Sequence, residues 1–196
     1  MICLRIGILV GVFAFAHGAW GLTEYHRAMP KKLNSYLSEG AFIGGVAGRG
    51  FSLRNVSRQF GAKSKIERVV VDLGDEKGRS LLSPAPYFHV EVDPRNSRVV
   101  IDLSQVQGSR LSEENLKKVF SGSPYVSLMD IGYDPEDRAT HLTLKMKRPL
   151  MVEIFSPEGK NEPGRIIMDF VPEKLGKILS KQKARVRAAA DETTSK

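Results

Sequence analysis

The sequence predicts an all-β protein: a two-sheet β-sandwich built from two similar four-strand halves joined by a short helix, after an N-terminal signal helix. Three observations predict it. A pattern of Arg, three apolar residues, Asp and a further apolar residue occurs as Arg68-Val-Val-Val-Asp72-Leu73, Arg98-Val-Val-Ile-Asp102-Leu103 and Arg165-Ile-Ile-Met-Asp169-Phe170. The segments around these motifs recur in the same order in two stretches of the chain. An apolar run with one preceding positive charge stands at the N-terminus.

The leader comes first. Arg5 precedes the apolar run 6–16, and the small residues Ala19 and Gly21 fit a small-x-small cleavage pattern. Cleavage is expected after Gly21, with Ala14-x-Ala16 as a second site. An uncleaved membrane anchor is the alternative, but the run is shorter than the ~20 residues a spanning helix needs. Cys3 is the one cysteine and lies ahead of the apolar run, which disfavours a lipoprotein anchor. With the leader removed, no disulfide or thiol chemistry remains. An oxidising compartment permits disulfides without requiring them.

The segment 22–50 reads as flexible or weakly helical, with a short helix conceivable over 31–37. Its glycines from Gly40 to Gly50 do not form a Gly-x-Gly-x-x-Gly cradle, and no Gly-Lys-Ser/Thr follows. The β domain is expected over 51–172. Strand side chains alternate between faces. Val69, Val71 and Leu73 therefore share one face, as do Val99, Ile101 and Leu103, and Ile166, Met168 and Phe170. The opposite faces carry an apolar residue between charges. A wholly apolar face over a half-polar one is the pattern of a sandwich sheet.

Each half opens on a similar segment, Ser52-Leu-Arg-Asn-Val56 and Ser127-Leu-Met-Asp-Ile131. Long strands follow over 66–73 and 139–146, then strands over 87–92 and 150–155, then a turn and the closing Arg-to-Asp strand. Neither half could bury its apolar face alone. Between the halves, Ser112 can cap a helix, Glu113 and Glu114 fill its first turn, and Leu116, Val119 and Phe120 form its apolar side. Gly122 and Pro124 stop it. Residues 173–196 form a basic tail with seven positive and three negative charges, helical over 173–187 and disordered beyond. It reads equally as a basic arm for an anionic surface or as a solvated end.

Chemistry-bearing motifs are sparse, and no cofactor or metal motif is found. The histidines His26, His89 and His141 lack His-Glu-x-x-His spacing. There is no Gly-x-Ser-x-Gly elbow. Asp72, Asp102 and Asp169 recur at one place in a strand motif, which suits cross-strand pairing with Arg better than a catalytic dyad. The cluster Asp130, Asp134, Glu136 and Asp137 lacks the Asp-x-Asp-x-Asp-Gly spacing of a calcium loop. These negatives argue against an enzyme. The net charge of +8 points to anionic polymers and surfaces; export makes nucleic acid a poor partner.

The repeated strand motif behind a leader resembles the AMIN domain family, over about residues 51–172. The residues that carry it are the three Arg-to-Asp motifs, with Ser127-Leu-Met-Asp-Ile131 opening the second half. The resemblance implies a two-sheet β domain of exported bacterial proteins, found with cell-wall amidases and with the secretins of pilus and secretion systems. It implies targeting to peptidoglycan or to a particular cell-envelope site, hence the periplasm. The chain departs from the family's usual setting, since only 24 residues follow Pro172. The expected function is a non-catalytic module binding peptidoglycan or another anionic envelope polymer. The alternative is a protein–protein adaptor for an envelope complex such as a secretin, with no stable membrane span after cleavage. Arg68, Arg98 and Arg165 are the expected polar contacts, with Tyr87 and Tyr133 as sugar-stacking rings. A cross-strand ion pair is the competing role for each Arg.

Overall fold

The structure is a computed structural model that describes residues 35–48, 50–109, 111–157 and 162–194. The leader and, in the segment 22–50, residues 22–34 and 49 lie outside the described residues. Among the described residues, ten strands and two helices follow in order: β1 (Gly40–Gly44), β2 (Phe51–Gly61), β3 (Ile66–Asp75), β4 (Phe88–Asp93), β5 (Arg98–Ser104), β6 (Val106–Ser109), α1 (Glu113–Ser121), β7 (Val126–Asp134), β8 (Ala139–Met146), β9 (Leu150–Phe155), β10 (Arg165–Pro172) and α2 (Glu173–Thr194). No described helix is long and apolar enough to cross a membrane.

The strands form two five-stranded sheets. Sheet 1 has the order β6-β2-β3-β10-β9 and sheet 2 the order β1-β4-β5-β8-β7. All neighbours are antiparallel except β2 and β6, which run parallel. At the centre of sheet 1, β3 pairs with β10; at the centre of sheet 2, β5 pairs with β8. Each central pair therefore joins segments far apart in sequence. β2 shifts register against β3 between Leu53 and Asn55, and β7 shifts against β8 between Leu128 and Asp130. A bulge of this kind bends an edge and raises its twist.

The inner faces follow from the period of two. Val69, Val71, Leu73, Ile166, Met168 and Phe170 of sheet 1 meet Val90, Val99, Ile101, Leu103, Leu142 and Leu144 of sheet 2 in one buried cluster. Stacked sheets interdigitate in this way about 10 Å apart. One end of the sandwich is plugged by α1 through Leu116 and Phe120. Its Ser112 caps the helix by accepting from the Asn115 amide at 3.2 Å, which satisfies a donor that the first turn leaves orphaned. Beneath α1, the buried Glu67 takes Arg58 at 3.1 Å and the Ser123 hydroxyl at 2.9 Å.

Three elements differ from the sequence reading. β1 is a strand inside the stretch expected to be flexible, and Leu37 bridges Val152 instead of closing a helix. β6 adds a short parallel strand to sheet 1. The final helix runs to Thr194, because Ala188, Ala189 and Ala190 favour helix over coil.

Candidate binding surface

The two outer faces of the sandwich differ. That of sheet 1 is partly closed by α2. Tyr36, Met151 and Val171 are buried there against Leu175 and Leu179 of the helix. Gly176 lets the helix approach β9 closely, since a Cβ would lie 2.6 Å from Met151 Sδ. Lys183 reaches the fully buried Glu153 and sits 4.9 Å from the centre of the Tyr36 ring. Burial first, and then the Glu153 and Asp169 carboxylates, push the Tyr36 hydroxyl well above the usual phenol range.

Arg68 and Arg165 lie on this face and are engaged in ion pairs. Arg68 forks onto the buried Asp169 with contacts of 2.7 and 2.8 Å, and its guanidinium also lies 5.8 Å from the Phe155 ring centre. Arg165 Nε donates to Asp72 at 2.6 Å. The pairs are reciprocal, because antiparallel register sets Arg68 opposite Asp169 and Arg165 opposite Asp72. The cross-strand role weighed for these arginines is therefore the one their side chains adopt.

The outer face of sheet 2 carries a different set of groups, and no described helix packs across it. Register aligns them in rows. One row runs Ile43, His89, Asp102, His141 and Gly132 across β1, β4, β5, β8 and β7. The next runs Ala41, Glu91, Val100, Thr143 and Asp130, and the third joins Asp93, Arg98, Lys145 and Ser127. Asp102 thus has a histidine on each side. His89 Nδ1 lies 3.4 Å from Asp102 Oδ2, and His141 Nε2 lies 3.2 Å from Asp130 Oδ2. Gly132 leaves room for the His141 ring, which a Cβ would meet at 2.4 Å.

Arg98 belongs to this face. It pairs with Asp93 at 3.1 Å and keeps 42% of its side chain exposed. The Asn96 side chain and amide, with Arg98, hold the Asp93 carboxyl below the usual carboxylate range. Tyr87 and Ile43 extend the face with exposed apolar surface, at 43% and 58%. Tyr133 is equally exposed, at 44%, but stands near the far end of the opposite edge strand, beside Thr140. Of the five residues the sequence selects, only Arg98 and Tyr87 share this face. His89 and His141 were set aside in the sequence for lack of ligand spacing. Their strand parity was the signal that set them on the same face as Arg98.

The surface offers donors and acceptors of both signs in three rows with an aromatic and aliphatic margin. Such a set suits a ligand rich in hydroxyl, amide and carboxylate groups. Among the described residues, no group of three or more His, Cys, Asp and Glu could hold a metal ion. A separate cleft of about 380 Å³ opens between the β8–β9 turn and the start of α2. Its two cations are already engaged: Lys147 donates to the Ser123 carbonyl at 2.6 Å, and Arg148 lies 5.5 Å from the Tyr125 ring centre. No protein-family model matches the chain, and no curated protein matches it.

Proposed function

We propose that this chain is a non-catalytic periplasmic module of the AMIN type, which binds peptidoglycan through the outer face of sheet 2 and so marks a site in the cell envelope. The observation that carries the reading is the asymmetry of the two faces. Sheet 1 uses Arg68 and Arg165 in internal ion pairs and lies partly under a helix, whereas sheet 2 keeps Arg98, His89, His141 and Tyr87 accessible. Glycan strands with peptide stems present the hydroxyls, amides and carboxylates that these groups bind. The Tyr87 ring offers an amphipathic platform for a sugar face. The contact set narrows to Arg98 and Tyr87, joined by His89 and His141.

The module is read as two similar halves, β2 to β5 and β7 to β10, that exchange strands. Matching register shifts after Leu53 and Leu128 support this, as do the two central pairs, β3 with β10 and β5 with β8. The halves have diverged in what they expose. The Arg-to-Asp motif of β10 finds its charge partners in β3, while that of β5 faces Lys145 and His141 in β8 and leaves Asp102 for His89.

A second reading, an adaptor for an envelope complex such as a secretin, is favoured by β1. This strand sits at the margin of sheet 2, and its Gly-Ala-Phe-Ile-Gly sequence has no charge or proline to blunt an edge. An extended segment of a partner could add to it. Retention of the mature domain on purified sacculi tests the first reading. Crosslinking in cells to one specific protein, without wall association, would favour the second.

A further inference from the structure

α2 has two faces with separate uses. Leu175, Gly176, Leu179 and Lys183 point to sheet 1 and fix the helix on it. Lys174, Lys177, Lys181 and Arg185 follow one another at three- and four-residue steps, so they share the face turned away from the sheet. All four are exposed. Lys177 pairs with Glu173 at 2.6 Å. Lys174, Lys181 and Arg185 make no ion pair or hydrogen bond to any described residue. At 1.5 Å per residue the stripe is about 17 Å long. Beside it, Ile178 is 55% exposed.

We infer that this stripe docks the domain on an anionic lipid bilayer. The contact is peripheral: cations meet lipid phosphates, while Ile178 reaches the headgroup boundary. Two features favour a bilayer over other polyanions. A straight, convex helix matches a flat surface and has no groove to hold an acidic peptide. An aliphatic side chain beside the cations gains from a lipid boundary, whereas a glycan strand gains more from an aromatic platform, and no aromatic residue lies on this helix.

The stripe lies on the opposite side of the sandwich from the outer face of sheet 2. The domain would thus hold a bilayer on one side and leave the other free for a second ligand. This assignment stands whether or not sheet 2 binds peptidoglycan.

The test is co-sedimentation of the protein, purified from its host envelope, with phosphatidylglycerol vesicles and with phosphatidylcholine vesicles, at low and high salt. The wild-type protein is expected to bind the former, release as salt rises, and ignore the latter. Each basic side chain near an anionic leaflet strengthens binding about fivefold, so Lys181→Glu with Arg185→Glu should weaken it more than about tenfold. Neither side chain makes an ion pair or hydrogen bond to a described residue, and circular dichroism checks that the variant is folded. The neutral variant with Lys174→Gln, Lys181→Gln and Arg185→Gln should lose binding to a similar degree. Equal sedimentation with both lipids, full binding by either variant, or retention on purified sacculi alone would each overturn the proposal. Loss of sacculus binding with vesicle binding intact would instead count against the reading of sheet 2.

Discussion

Arg68 and Asp169, 101 residues apart in sequence, are joined by a two-point ion pair across the middle of sheet 1. Arg165 and Asp72 repeat the pairing in the reverse sense four residues along each strand. The energetic weight of the two differs with burial. Asp169 is fully buried, whereas Asp72 keeps 17% of its side chain exposed. Removing one partner of a buried pair leaves an uncompensated charge, which costs about 3–5 kcal/mol. A partly exposed pair contributes about 1 kcal/mol or less. Asp169→Asn should therefore lower unfolding free energy in urea by at least about 3 kcal/mol, with Asp72→Asn near the smaller figure. Equal effects would show that burial does not set their weight.

Gly176 gives a sign test for helix docking. Alanine in a helix interior ordinarily stabilises relative to glycine by about 1 kcal/mol. Here the added Cβ would lie 2.6 Å from Met151 Sδ and 2.8 Å from Met151 Cβ. Gly176→Ala is expected to lower the Tm and speed amide exchange in β9. A rise in Tm of the ordinary size would mean that α2 is not held at this distance.

Asp93 should shape the acid limb of stability. Hydrogen bonds from Asn96 and the neighbouring Arg98 depress its folded-state pKa below the unfolded value of 3.8. A depressed carboxyl contributes stability above the unfolded pKa and loses it as pH falls through the folded one. Denaturation of the wild type and Asp93→Ala should therefore differ near neutral pH and converge as pH falls through the lowered pKa of Asp93. A gap that stays constant down to pH 2 would assign the difference to turn packing instead of charge.

Much of this architecture is written in short-range pattern. Val69, Val71 and Leu73 mark an inward face because side chains alternate, and that rule needs no partner strand. The Arg-to-Asp spacing also indicates reciprocal pairing between antiparallel strands. It does not say which strands pair, because long-range register depends on the whole core. So the same motif becomes a closed ion pair in β10 and a mixed face in β5, where His141 and Lys145 stand opposite. Arg68 and Arg165 are drawn from the open surface for that reason. β1 is hidden for a different one: Gly40 and Gly44 carry no alternation, and the strand forms only because β4 offers it an edge. His89 and His141 join the surface through parity alone, on strands separated by β5.

The central claim is that the outer face of sheet 2 binds peptidoglycan. Tyr87→Ala with Arg98→Ala tests it with little cost to the fold, since exposed substitutions of this kind change stability by about 0.5 kcal/mol each. The measurement is retention of the mature domain on purified sacculi at moderate salt, beside a control β protein. The wild type should be retained above the control and the double variant should fall to the control level. No retention of the wild type above the control, or full retention of the double variant, would contradict the account.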